Sequence, residues 1–299
     1  YGSNWSLTGV VLPYFEAQKI DDTMKDMMPG FGIPEDLPPE LIPIVEPLLP
    51  SPEEVLGAIK GTPKPKSFGK NTQWALRAET QLAGFDVQAS YFSGFEPLPG
   101  LEMQMQMVDL PIGLIPVPTG FAGEYRRQHF VGLATSGTIG DVGVWAELAY
   151  GGPEPFEDDP LKIPLSINEK YLQAVVGADY TFDVGNGLLV QGQYIYRGQG
   201  SLFMPYIIPV IAMPPEPGEV KPAHYLYGRF GYDFNQDSSV DLVLLHGFEE
   251  KGGLIRPAYT YRFPNAVQLE LSLVKTYGKE DGVLASIPLT GRFGVSYKF

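Results

Sequence analysis

Leu289-Thr-Gly-Arg-Phe-Gly-Val-Ser-Tyr-Lys-Phe299 closes the chain, and its alternation decides how the rest is read. Phe293, Val295, Tyr297 and Phe299 share one parity, while Arg292, Gly294, Ser296 and Lys298 share the other. Successive side chains of a strand point to opposite faces, so one face here is greasy and ends in aromatics and the other is small, polar and charged. That combination suits a strand lying between hydrocarbon and a wet interior, not one in a sandwich core.

Working outward, the same pattern recurs. Trp5, Leu7, Gly9 and Val11 oppose Ser6, Thr8 and Val10, and Trp74, Leu76, Ala78, Thr80 and Leu82 oppose Gln73, Arg77, Glu79 and Gln81. Phe85, Val87, Ala89 and Tyr91 oppose Asp86, Gln88 and Ser90; Val142, Val144, Ala146 and Leu148 oppose Glu147. Leu172, Ala174, Val176, Ala178 and Tyr180 oppose Gln173, Asp179 and Thr181. Further strands are expected near 124–136, 188–197, 223–234, 239–249, 254–263 and 266–277. Turns at 83–84, 137–141, 183–187, 235–238 and 264–265 are short, whereas the connections between them are mostly longer and reach 55 residues. Transmembrane barrels place short turns on the periplasmic side and long loops outside. The count is twelve strands with both termini on the short-turn side. The expected fold is therefore all-β, a single domain over residues 1–299. It is a closed antiparallel up-and-down transmembrane β-barrel of about 12 strands with long Pro/Met-rich extracellular loops.

The last eight residues, through Arg292, Gly294, Tyr297 and Phe299, resemble the C-terminal insertion signal of bacterial outer-membrane β-barrels. The resemblance implies the outer membrane of a Gram-negative cell, with its lipid and the barrel-assembly machinery as partners. It names a class and a membrane, not a substrate or a specific family.

Bulk properties agree. Cysteine is absent, which excludes disulfide scaffolds, thiolate metal sites and Cys nucleophiles. No run of 18 apolar residues occurs, so no transmembrane helix is expected. A mean hydropathy of −0.05 with 44% hydrophobic residues fits a wall that shows only alternate residues to lipid. Tyr and Phe number 17 each, which suits strands and interfacial girdles. A net charge of −14 argues against nucleic acid as a partner. Export to the outer membrane needs a signal peptide that this chain lacks, so Tyr1 is read as a processed or truncated start.

The face opposite Phe299 supplies Arg77, Glu79, Glu147, Asp179, Arg197, Arg229, Asp241, Glu270 and Arg292 as candidate pore-lining residues, with Asp86, Asp233 and Lys298 beside them. At mid-depth in lipid an Arg or Lys costs ~2–4 kcal/mol, so these are expected to face inward. Twelve strands spaced ~4.8 Å and tilted ~40° enclose a backbone radius of about 12 Å, which leaves a small-solute opening, or a closed one if opposite charges interlock.

Three long segments, 16–70, 96–123 and 200–221, read as apolar loops. They hold all the methionines: Met24, Met27, Met28, Met103, Met105, Met107, Met204 and Met213. Short helices are expected at 38–49 and 51–59, the second opened by Ser51-Pro52-Glu53-Glu54 with an N-cap, Pro at N1 and acids in the first turn. Methionine is pliable and is used where one surface must accept varied apolar shapes, so these residues are the candidate vestibule. The plainer alternative is that the loops pack on one another as a lid. Met103-x-Met-x-Met107 lacks the Cys or neighbouring His of a soft-metal site, and no metal or cofactor is expected.

Three histidines, His129, His224 and His246, are the near-neutral bases. The alternate residues after them are Val131, Leu226 and Phe248, not the serine of an outer-membrane phospholipase. No nucleotide, zinc or haem motif occurs, and the chain is not read as an enzyme. The expected function is a passive outer-membrane channel for small apolar or amphipathic solutes. The alternative is a plugged docking barrel whose apolar loops grip a surface protein or a neighbouring copy in a homo-oligomer.

Overall fold

The computed structural model describes residues 4–19, 42–45, 51–110, 113–202, 221–264, 266–279, 284 and 288–297. In chain order the strands are β1 (Trp5–Leu12), β2 (Gln73–Leu82), β3 (Phe85–Phe95), β4 (Gly100–Leu110), β5 (Gly113–Glu124), β6 (Arg127–Ile139), β7 (Val142–Pro153) and β8 (Lys162–Pro164). They continue as β9 (Tyr171–Phe182), β10 (Leu188–Arg197), β11 (Ala223–Asp233), β12 (Ser238–Gly247), β13 (Gly252–Arg262), β14 (Val267–Tyr277) and β15 (Thr290–Tyr297). Helices α1 (Ile42–Val45) and α2 (Pro52–Gly61) lie between β1 and β2.

Twelve of these strands form one antiparallel meander, β1-β2-β3-β6-β7-β9-β10-β11-β12-β13-β14-β15. Each answers to one of the twelve alternating segments. Within the described residues β1 pairs with β2 alone and β15 with β14 alone, so the sheet is open between them. The turns are locally encoded. Ala83 (φ 52°) and Gly84 (φ 84°) both take positive φ, the two-residue hairpin geometry matched to strand twist. At the turn after β11, Asn235 Oδ1 accepts from the N–H groups of Asp237 and Ser238, each at 2.9 Å. Strand β6 runs on to Ile139, so the turn expected at 137–141 narrows to Gly140-Asp141.

Two of the expected loops carry structure of their own. Segment 96–123 contains the β4–β5 hairpin, and the short β8 joins it to give a second sheet, β5-β4-β8. Met103, Met105 and Met107 therefore lie in a strand, contrary to the loop expectation. Their period-two alternation with Gln104 and Gln106 carried the signal, and the prolines of β5 masked its partner. Helix α2 has the cap expected from its sequence: Ser51 Oγ accepts from Glu54 N–H at 3.2 Å and Glu54 Oε2 accepts from Ser51 N–H at 2.8 Å. Of the helix expected at 38–49, residues 42–45 are helical, and the remainder falls outside the described residues.

Among the described residues, a buried hydrophobic cluster lies in this second unit. Val55 and Ile59 of α2 pack with Leu101, Met103 and Met105 of β4 and with Leu165, flanked by Ala58, Phe121 and Ile163. The unit is a cap on the long-loop end of the sheet's first half, assembled from three separate connections.

Candidate functional site

Register carries the face of β15 through the whole sheet. Phe293 pairs with Leu271, Leu271 with Tyr259, Tyr259 with Val240 and Val240 with Tyr232. The chain of pairs continues through Leu188, Phe182 and Tyr180 to Val144, Leu133, Ala89 and Leu76, reaching Gly9 of β1. On this face the described strands carry two charged residues, Arg127 and Lys275, both toward the long-loop ends. The face is also bare: Phe293, Val295 and Tyr297 are 67%, 63% and 62% exposed, and Leu133, Val176 and Leu271 are more than half exposed.

The opposite face holds every candidate pore-lining residue. Arg77, Glu79, Glu147, Asp179, Arg197, Arg229, Asp241, Glu270 and Arg292 share one face across eight strands, as do Asp86 and Asp233. Three ion pairs tie this face together. Arg77 Nε lies 3.2 Å from Glu79, Arg229 Nη2 2.5 Å from Asp241, and Arg256 Nη2 2.8 Å from Glu270. Arg256 and Arg262 lie on this face too; the sequence marks 254–263 as a strand, and the register is what assigns its two faces. Charge is uneven along the sheet. Glu79, Asp86, Glu147 and Asp179 outnumber Arg77 on β2 to β9, whereas Arg197, Arg229, Arg256, Arg262 and Arg292 outnumber Asp233, Asp241 and Glu270 on β10 to β15.

At the short-turn end of the acidic half, Glu79, Gln81, Asp86, Gln88, Trp145 and Glu147 line a hollow of about 660 Å³. Trp145 lies flat over Gly177, where a Cβ would come within 2.3 Å of the indole, and its Nε1 donates to Gln193 Oε1 at 3.3 Å. Glycine at 177 is what lets an aromatic side chain cross two strands on this face.

The methionine vestibule takes a different form from the one expected. Met103 and Met105 are 7% and 8% exposed inside the cap core, while Met107 is 46% exposed. Met24, Met27, Met28, Met204 and Met213 fall outside the described residues. Of the insertion signal, Arg292 and Gly294 sit on the charged face and Tyr297 on the apolar one, and Phe299 is outside the described residues.

Arg126, between β5 and β6, fastens the cap to the sheet, and sequence inspection gave no sign of it. Its side chain is 2% exposed and its Nη2 lies 2.9 Å from Glu96. It donates from Nη2 to the Ile167 carbonyl at 2.8 Å and from Nη1 to Asn168 Oδ1 at 3.3 Å, and it stacks 4.1 Å over Phe156. One guanidinium thus joins the ends of β3, β6 and the segment after β8. Burial pushes the Glu96 carboxyl up, with Arg126 pulling the other way, and burial lowers the Arg126 guanidinium.

All three histidines project from the apolar face near the long-loop ends. Each Nδ1 meets a tyrosine hydroxyl: Tyr91–His129 at 2.8 Å, Tyr194–His224 at 2.5 Å and Tyr277–His246 at 3.0 Å. Rings with an apolar body and a satisfied polar tip suit the headgroup level of a bilayer.

No family model and no curated protein sequence matches the chain. Among solved structures, the in-vitro-folded trimer form of OmpT, an outer membrane protein of Vibrio cholerae, aligns over 79% of this chain and 92% of its own, at 10% identity and a TM-score of 0.31. The alternation and antiparallel meander described above are features that transmembrane β-barrel walls share.

Proposed function

We propose that the chain forms the wall of a bacterial outer-membrane β-barrel and acts as a passive channel for small apolar or amphipathic molecules. One observation carries this: across twelve strands charge collects on one face, and the other face is apolar between its rims. An apolar surface of that extent in water would be a large exposed patch, whereas in hydrocarbon it is solvated. The free edges of β1 and β15 support closure, because unpaired strand N–H and C=O groups in lipid cost several kcal/mol each. Closure would set the acidic half of the inner face opposite the basic half, around a small lumen.

The packed core of the cap favours one second reading. Loops organised by Leu101, Met105 and Arg126 have a fixed shape, which suits a docking barrel that presents them to a surface protein or to another copy. Single-channel conductance with liposome swelling separates the two. The channel reading expects discrete openings and sugar-driven swelling from the intact chain. Silence that ends when residues 16–70 are deleted indicates plugging, and silence in both forms favours docking.

A further inference from the structure

Pro257 sits in the middle of β13, which has neighbours on both sides, and it is the one proline inside a strand of the large sheet other than at a strand end. Proline has no N–H to give to a ladder and is ordinarily confined to edge strands. The consequence is visible in the pairing. Residues 253–255 of β13 pair with 277–275 of β14, and pairing resumes only at Ala258 with Ser272. Among the described residues this is the one internal gap in the ladders of the large sheet. The register is unchanged across the gap, so no residue is inserted. What is missing is an N–H that any other residue would direct toward Leu273.

Each side of the wall carries a feature that reaches that gap. On the apolar face, Phe230, Leu242, Pro257, Tyr259, Leu271 and Leu273 line a groove of about 440 Å³. That volume is within the range of small-molecule sites, and the apolar lining would leave a charged group unsolvated. On the charged face, directly behind Pro257, Arg256 of β13 reaches Glu270 of β14 at 2.8 Å. The ion pair crosses the seam diagonally, from Arg256 within the gap to Glu270, which pairs with Thr260 where the ladder has resumed. Both partners are 35% exposed, so the hold is modest and reversible.

We infer that the β13–β14 seam at Pro257 is a lateral portal, latched by Arg256 and Glu270, through which an uncharged apolar molecule passes between the lumen and the surrounding hydrocarbon. This deepens the channel reading and rests on it. The groove receives the molecule from the lipid side or delivers it there. The seam parts there with one backbone hydrogen bond fewer to break than elsewhere, because Pro257 has no N–H to give to Leu273.

The absence of cysteine allows a clean test. Ala258 and Ser272 face each other beside the gap, so Ala258→Cys with Ser272→Cys gives a seam that oxidation locks and reductant frees in the same protein. Cells with an intact outer leaflet report entry of the uncharged probe N-phenyl-1-naphthylamine by fluorescence, and proteoliposome swelling in arabinose reports the axial path. The portal predicts that oxidation lowers naphthylamine entry at least fivefold, that reductant restores it, and that arabinose swelling holds in both states. Pro257→Val, which restores the missing N–H, should lower naphthylamine entry in the same direction without a disulfide. Naphthylamine entry unchanged by the lock, with swelling intact, overturns the portal and leaves the channel standing. A chain that passes neither probe overturns both.

Discussion

At the scale of single residues, Arg126 carries the most consequence for least sequence signal. A buried cation that loses its role leaves its partner uncompensated, so Arg126→Met should destabilise docking of the cap by about 3 kcal/mol, the lower end for breaking a buried pair because Glu96 keeps 20% of its side chain in solvent. Limited proteolysis between β3 and β6 should then cut the variant and spare the parent; equal resistance would remove Arg126 from this role. The same site sets a pH dependence. Burial holds Glu96 and Glu102 above their ordinary value of 4.5. A carboxyl raised in the folded state adds stability that is fully present below its unfolded value and is lost as pH rises through the folded one. Amide exchange in β4, corrected for intrinsic rate, should therefore show a tighter cap at pH 4.5 than at pH 7.5. Glu96→Gln combined with Glu102→Gln should flatten the trend, and a cap that tightens with rising pH would contradict it.

At the scale of elements, the wall strands and the cap strands differ in how plainly they can be read. Each strand of the large sheet declares itself because its two faces carry opposite residue types, as Leu172 to Tyr180 against Gln173 to Thr181 show. The nine inward candidates followed from that parity alone. Strands β4, β5 and β8 obey no such rule. They pack against α2 and each other, so Pro116 and Pro118 outweighed the Met-Gln alternation, and the methionines read as a loose vestibule. Ion pairs such as Arg126–Glu96 join residues 30 apart, and no local pattern marks them. Pro257 was legible as a proline within an alternating run, yet its meaning depends on which strand lies on either side. The division between wall and cap is testable. Leu101 is fully buried in the cap core, and Leu101→Ala should cost the cap about 2–5 kcal/mol. The heat-modifiable gel mobility of the folded wall should not change, and a joint loss of both would show one cooperative unit rather than two.

At the scale of the whole molecule, the uneven charges predict behaviour as well as topology. In the closed barrel proposed above, removing acid from one half of the lumen weakens its attraction for cations, so Glu79→Gln with Glu147→Gln should shift the reversal potential in a salt gradient toward anions, by roughly twofold in permeability ratio. An unchanged potential would place those carboxylates away from the conducting path. Everything at this scale depends on one face meeting hydrocarbon and the other meeting water. The direct measurement is a nitroxide scan along β9, one cysteine at a time from Tyr171 to Phe182, in lipid bilayers. Oxygen should reach Leu172, Ala174, Val176, Ala178 and Tyr180 best, and a water-soluble nickel chelate should reach Gln173, Val175, Asp179 and Thr181 best, with a period of two once position 177, where Trp145 fills the space, is left out. A scan without that period, or with the two sets exchanged, would contradict the account.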